Sequence, residues 1–339
     1  MKIIEKYREK VNSELLTFLN KKLEKDGKYS KHVKELIENV LEYNVWGGKR
    51  IRPLTIISAY KCFKDDDKVI PASICIELMQ AYLLIHDDII DKSDLRRGKP
   101  AMHKIYGKKD NHFGISMAIL AGDLCASYVY DGIIESDFSD KEKAEAIKYI
   151  NWIINREIYG QALDISDSFR ELKEEDVWKI YELKTATCTM QGPVYIGAVL
   201  ANASKDKIER LQRYAYNMGL AFQIQDDING IFGNAEEMGK PNDSDIKEGK
   251  KTLLIVKALE FSNKEDREFL LKKYGDSDIN ETDMIRIREI IKSCSALTHC
   301  KNKFNELIEK GKESLMNVEL KEEGKDFLLE IADYIKNLS

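Results

Sequence analysis

Apolar residues return at intervals of three and four along nearly the whole chain, and no convincing run of strand-like alternation interrupts them. This periodicity predicts helices over residues 1–25 and 31–46, the second opened by Ser30 as an N-cap and closed by Gly47-Gly48. Pro53 and Pro71 then fall in the first turns of the next two helices, where a missing amide hydrogen costs little. The second of these carries an apolar run from Ala72 to Ile85. After a loop from Lys92 to Tyr106 come a helix at about 112–134 and another to about 167, opened by the capping box Ser139-Asp140-Lys141-Glu142. Helices at roughly 174–203 and 205–232 follow, then a basic loop to Lys251, then about four helices with charged faces from Thr252 to Ser339. With no linker and no repeat, the chain is expected to be all-α, a single domain over residues 1–339.

Composition narrows this little. Of 339 residues, 43% are hydrophobic and 33% charged, which fits amphipathic helices around a core, and 5 prolines with 19 glycines leave few breaks. A net charge of -5 gives no reason to expect nucleic acid as a partner. The six cysteines, Cys62, Cys75, Cys125, Cys188, Cys294 and Cys300, form no CxxC pair and read as reduced, mostly buried thiols of a cytoplasmic protein. From the charged, amphipathic start no signal peptide is expected. Thr185 to Ser204 runs uncharged for 20 residues, the length of a membrane span. Thr185, Thr187, Thr189, Gln191, Gly192, Pro193 and Asn202 break it up, so a kinked core helix is expected and no membrane span.

Two stretches carry candidate chemistry. HDDIIDKSDLRRGKP, from His86 to Pro100, ends the apolar run with Asp87 and Asp91 one turn apart on one helix face. Three acids within five residues repel one another unless cations lie between them, and oxygen-only ligands suit magnesium, which takes one or two carboxylates together with phosphates and water. Arg96 and Arg97 follow as forks matched to phosphate. Downstream, Gln223-Ile224-Gln225-Asp226-Asp227 repeats the design, with Gln223 one turn before Asp227 and with Lys240, Lys250 and Lys251 beyond. Gly47-Gly48-Lys49-Arg50-Ile51-Arg52-Pro53, a glycine turn running into a helix start with three basic side chains, makes a candidate anion site. Lys184-Thr185 enters the uncharged helix and is expected to face a cavity, and Gly160-Gln161-Ala162-Leu163-Asp164 offers a further Gln and Asp. His86 reads either as a base or as a hydrogen-bonded structural residue, His103 and His112 as loop residues, and no spacing suggests zinc. Acids for magnesium, cations for phosphate and an apolar helical interior together describe a site for a diphosphate ester with a greasy tail.

GGKRIRP, the first aspartate-rich motif with LRRG, AILAGD at 118–123, GQALD at 160–164, KTAT, QIQDD and GKPNDSDIKEGKKT stand in an order that resembles the trans-isoprenyl diphosphate synthases. The resemblance covers roughly residues 45–255. It implies a large helical bundle around a deep central cavity, usually a homodimer, with the two acid motifs facing each other. Asp87, Asp91 and Asp226 would hold three magnesium ions, with Asp88 and Asp227 in support. The allylic diphosphate would lie on those ions and on Arg96, Lys184, Lys240 and Lys250. Isopentenyl diphosphate would lie on Lys49, Arg52, Gln80 and Arg97, while Thr185 and Gln223 face the reacting carbons. Gly230 departs from the family's fullest form, which has a third aspartate there.

Product length would follow cavity depth below Asp87. Ile76, Met79 and Leu83 share that aspartate's side of an ideal helix, whereas Tyr82, the pocket floor by resemblance, falls off it. An aromatic at 82, a non-aromatic Leu83 and no insertion in DDIID resemble archaeal geranylgeranyl diphosphate synthases, with farnesyl diphosphate the alternative product. A class I terpene cyclase would need Ser or Thr at Gly230 and Glu at Asn234, and a non-catalytic partner subunit would lack acids or basic groups that this chain retains.

Overall fold

The computed structural model describes every residue except Met1, Lys109, 168–172, 234–243, Asn317 and Ser339. Its described residues are helical, as the periodicity predicts, apart from one short hairpin and the connecting turns, and the described chain divides into two compact units interleaved in sequence. The first comprises Met1–Ile150, Pro193–Lys205 and Glu319–Ile331, the second Asn151–Gly192, Asp206–Val318 and Ala332–Ser339.

In the first unit the Lys2–Asp26 and Lys31–Val45 helices pack together, and the Cys75–Ile90 helix lies along the Asn111–Ile134 helix. Ser30 caps its helix by accepting the Val33 amide at 3.2 Å, and Ser139 and Glu142 exchange hydrogen bonds as a capping box should. The helix expected to begin near Pro71 breaks once, giving Ile70–Ser73 and Cys75–Ile90. The Lys92 to Tyr106 loop contains structure that the periodicity missed. Leu95–Arg96 pairs antiparallel with Lys99–Pro100 about a tight turn in which Arg97 (φ 53°) and Gly98 (φ 73°) are both left-handed, the turn that suits hairpin twist. A short helix, Met102–Tyr106, follows.

Arg50 corrects the reading of the Gly47-Gly48 turn. Left-handed at φ 53° and 4% exposed, it pairs with buried Glu77, donates to the Asn44 carbonyl at 2.7 Å and to Asn12 at 2.8 Å, and so fastens the turn to the core instead of serving an anion.

The helix expected over 174–203 changes pitch. Glu174–Ile180 is α-helical, Tyr181–Gln191 is a π-helix, and Gly192–Leu200 returns to α. Pro193 has no amide hydrogen for the ladder, and the Gly192 amide reaches back five residues to the Thr187 carbonyl. The Leu253–Phe261 helix packs on Ala296–Ser314, and the C-terminal region has five helices of nine residues or more among the described residues, against about four expected. Thr252, Asn263 and Asn280 cap three of them.

None of the six cysteines forms a disulfide, and all but Cys294 are buried. Among the described residues one helix, Asn111–Ile134, is long and apolar enough to cross a membrane, with 39% of its most apolar window buried.

Replacing Arg50 with Met would leave Glu77 buried and unpaired. Urea denaturation is expected to show a loss of about 3–5 kcal/mol, the usual cost of breaking a buried ion pair; a loss under about 1 kcal/mol, the range of a surface pair, would remove Arg50 from this anchoring role.

Candidate active site

Successive helical residues point about 100° apart, so adjacent aspartates cannot share an environment. In the first unit Asp91 closes the Cys75–Ile90 helix with its amide on the Asp87 carbonyl at 2.8 Å, which puts the two one turn apart as the spacing predicts. Asp88 turns inward and is fully buried. Its Oδ1 accepts both arms of the Arg96 fork, Nε at 2.8 Å, and Arg96 also lies 3.8 Å from Asp87 Oδ2. Burial pushes the Asp88 carboxyl up; Arg96 opposes this and Asp87 adds to it. Asp88 Oδ2 and the Tyr43 hydroxyl are both buried without a hydrogen-bond partner, and burial together with the Asp88 charge raises the Tyr43 phenol.

The hairpin turn places Arg97 over the glycine turn, where Nη1 donates to the Gly47 carbonyl at 2.8 Å. Burial, with the Arg50 and Arg96 charges nearby, pulls Arg97 below the usual guanidinium range. Lys49 is exposed beside this turn, and Arg52 is half-buried in the first turn of Ile51–Lys61. Gln80, also half-buried, stands seven residues before Asp87 and so on its face. Met79 and Leu83 are buried, while half-buried Tyr82 meets His86 edge-on.

The second unit repeats the division between adjacent acids. Asp226 is exposed and Asp227 is 5% exposed. Asp227 is held at both oxygens: Tyr181 donates to Oδ2 and itself accepts the Leu253 amide at 2.8 Å, while Gln223 Nε2 donates to Oδ1 at 2.7 Å. The same bond orients the Gln223 amide, so that its Oε1 accepts the Thr185 hydroxyl proton. Burial drives the Asp227 carboxyl well up, Tyr181 and Gln223 oppose this, and the charges of Asp226 and Asp245 add to it. On the π-helix, Lys184 donates to Asp164 at 2.8 Å. Gly160 and Gly219 let neighbouring helices close on this π-helix, since a Cβ would lie 2.6 Å from the Lys184 amide and from the Ala186 Cα respectively.

Lys250 lies 3.3 Å from Asp245 and 3.2 Å from Glu248. Lys240 lies outside the described residues. At Gly230 a Cβ would lie 1.9 Å from Asp245 Oδ2, so the buried Asp245 carboxylate fills the place that a side chain at 230 would take.

Sequence reasoning passed over Tyr181, Tyr43 and Asp245. Tyr181 left a signal, standing four residues before Thr185, and Asp245 lies within the motif GKPNDSDIKEGKKT. Among the described residues no three His, Cys, Asp or Glu side chains converge into a metal cage. The carboxylates instead offer oxygen ligands in ones and twos, the set that suits magnesium shared with phosphate and water.

A family model for polyprenyl synthetase matches residues 34–292. A short chain isoprenyl diphosphate synthase of Methanocaldococcus jannaschii is 35% identical over 286 residues, covering 84% of this chain and 81% of the relative. The geranylgeranyl diphosphate synthase of Saccharolobus solfataricus is 34% identical over 258 residues, 74% of each chain. A crystal structure of geranylgeranyl pyrophosphate synthase from Corynebacterium glutamicum, complexed with isoprenyl diphosphate and magnesium, matches with a TM-score of 0.94 at 29% identity and covers 99% of both chains. The chain therefore belongs to the polyprenyl synthetase family, and its all-α architecture is the isoprenoid synthase fold. Within that family it is a trans-type isoprenyl diphosphate synthase, a prenyltransferase.

Gly230→Asp is expected to displace the Asp245 carboxylate and to cost about 1–3 kcal/mol in chemical denaturation, as overpacking does. An unchanged stability would mean that Asp245 moves aside freely.

Proposed function

We propose that this prenyltransferase condenses isopentenyl diphosphate with an allylic diphosphate and that geranylgeranyl diphosphate is its main product. The observation that carries the reading is the paired design of both motifs: Asp88 and Asp227 are buried and anchored, while Asp87 and Asp226 beside them are more open to solvent. In this reading residues 1–339 work as one catalytic domain.

Three magnesium ions held by Asp87, Asp91 and Asp226 would supply the positive charge that lets the allylic diphosphate leave. Arg96, Lys184, Lys240 and Lys250 bind that diphosphate, and Lys49, Arg52, Gln80 and Arg97 bind isopentenyl diphosphate. Asp164 fixes the Lys184 ammonium, and Asp227 fixes Gln223, which in turn fixes Thr185. With its proton committed to Gln223, the Thr185 hydroxyl turns lone pairs toward the electron-poor allyl group as the carbon–oxygen bond breaks. The isopentenyl double bond attacks that carbon, and the proton lost in forming the new double bond passes to the departed diphosphate. Met79, Tyr82 and Leu83 limit the length of the growing tail.

The protein is read as cytoplasmic and as a homodimer. The Asn111–Ile134 helix exposes Phe113, Ile119, Leu120 and Ile134, a surface suited to a second copy.

Incubation with isopentenyl diphosphate, an allylic diphosphate and magnesium, followed by sizing of the dephosphorylated alcohols, is expected to show chain growth to the geranylgeranyl length. No growth from any allylic primer would end the reading. Asp87→Ala is expected to lower turnover by about a thousandfold or more, the scale on which charge stabilisation of a leaving group acts. Light scattering is expected to give a dimer for the native chain and a monomer for Leu120→Glu; a native monomer would reassign the apolar helix face.

A further inference from the structure

His86 opens the first motif and has no task in the mechanism. Its imidazole lies between Tyr82, one turn earlier on the same helix, and residues 119–123 of the helix packed alongside. The two rings meet edge to face, with centroids 5.0 Å apart at 80°. On the other side Nε2 lies 3.3 Å from the Ile119 carbonyl and 3.8 Å from Asp123 Oδ1. A carbonyl can only accept, so Nε2 carries a proton in this arrangement. The seat exists because residue 122 is glycine: a Cβ there would lie 2.3 Å from Nε2 and 2.5 Å from Cδ2 of His86. AILAGD thus supplies both the space and the acceptor for the histidine of the aspartate-rich motif.

This arrangement restricts the imidazole. The Ile119 carbonyl at Nε2 and the close Gly122 backbone limit how far the ring can turn from Tyr82. An edge-to-face aromatic pair shifts a side chain's rotamer population by roughly two- to tenfold. Tyr82 is only half-buried, so such a contact bears on where its ring stands.

We propose that His86 is a positioning residue for product length: seated on Gly122 and bonded to the Ile119 carbonyl, it holds the Tyr82 ring across the path of the growing prenyl tail. The inference deepens the function proposed above and rests on Tyr82 being the pocket floor.

The test compares the native chain with Tyr82→Ala, His86→Ala and the double variant, each given magnesium, isopentenyl diphosphate and farnesyl diphosphate, with the product alcohols sized. Tyr82→Ala is expected to lengthen the products. His86→Ala, with Tyr82 still present, is expected to raise the share of longer-than-native products by about tenfold, the scale on which a pocket wall tells chain lengths apart. The double variant is expected to match Tyr82→Ala alone, because His86 acts through that ring. Native-length products from His86→Ala beside longer ones from Tyr82→Ala would overturn the inference and leave the floor standing. A double variant longer than either single one would overturn it too, making His86 a wall in its own right. Unchanged products from Tyr82→Ala would remove the floor and the inference together, while chain growth itself would still support the prenyltransferase reading. Should His86→Ala fail to fold, Gly122→Ala, which pushes the imidazole off its seat without deleting it, is expected to lengthen the products in its place, and native-length products from it would overturn the proposal.

Discussion

A carboxylate buried at the end of an apolar helix must be answered locally, because an unpaired charge there costs far more than the fold can spare. Both acid motifs meet this constraint in the same way. Asp88 is closed by the Arg96 fork, and Asp227 by Tyr181 and Gln223. The anchoring fixes the helix about its own axis, and one residue earlier Asp87 and Asp226 are thereby aimed away from the packed interior. Like charges lie close in each motif, which suits sites that receive cations.

Those anchors order the groups around them. Gln223 bridges Asp227 and Thr185, so a hydroxyl on the π-helix is oriented by a carboxylate on another helix. Tyr181 ties the same carboxylate to the first turn of Leu253–Phe261 through the Leu253 amide. The π-helix brings Lys184 to Asp164, with Gly160 close against the Lys184 backbone. In the first unit the hairpin sets Arg96 on Asp88 and Arg97 on the Gly47 carbonyl, and Arg50 leaves the surface to hold Glu77. The basic residues that look equivalent in the sequence have been given different work by packing.

Glycine does at two positions what a side chain could not. Gly230 admits the Asp245 carboxylate beside the second motif, and Gly122 admits the His86 imidazole beside the first. The sequence shows a departure at 230 and an unremarked glycine in AILAGD; the structure shows that each is shaped to a partner far along the chain.

The sequence by itself determined most of the helices, the caps at Ser30 and Ser139 and the positions of both acid motifs. Those features are written in local spacing: apolar residues every three or four positions, a Ser before a first turn, two aspartates one turn apart. It also carried the family, through an ordered set of short motifs. Only tertiary structure decided which aspartate of each pair is buried, which arginine of GGKRIRP is turned inward, that LRRG is a hairpin, that residues 181–191 widen into a π-helix, and what lies against Gly122 and Gly230. Each of these depends on groups that meet only when distant segments pack, and neither periodicity nor propensity holds information about such meetings.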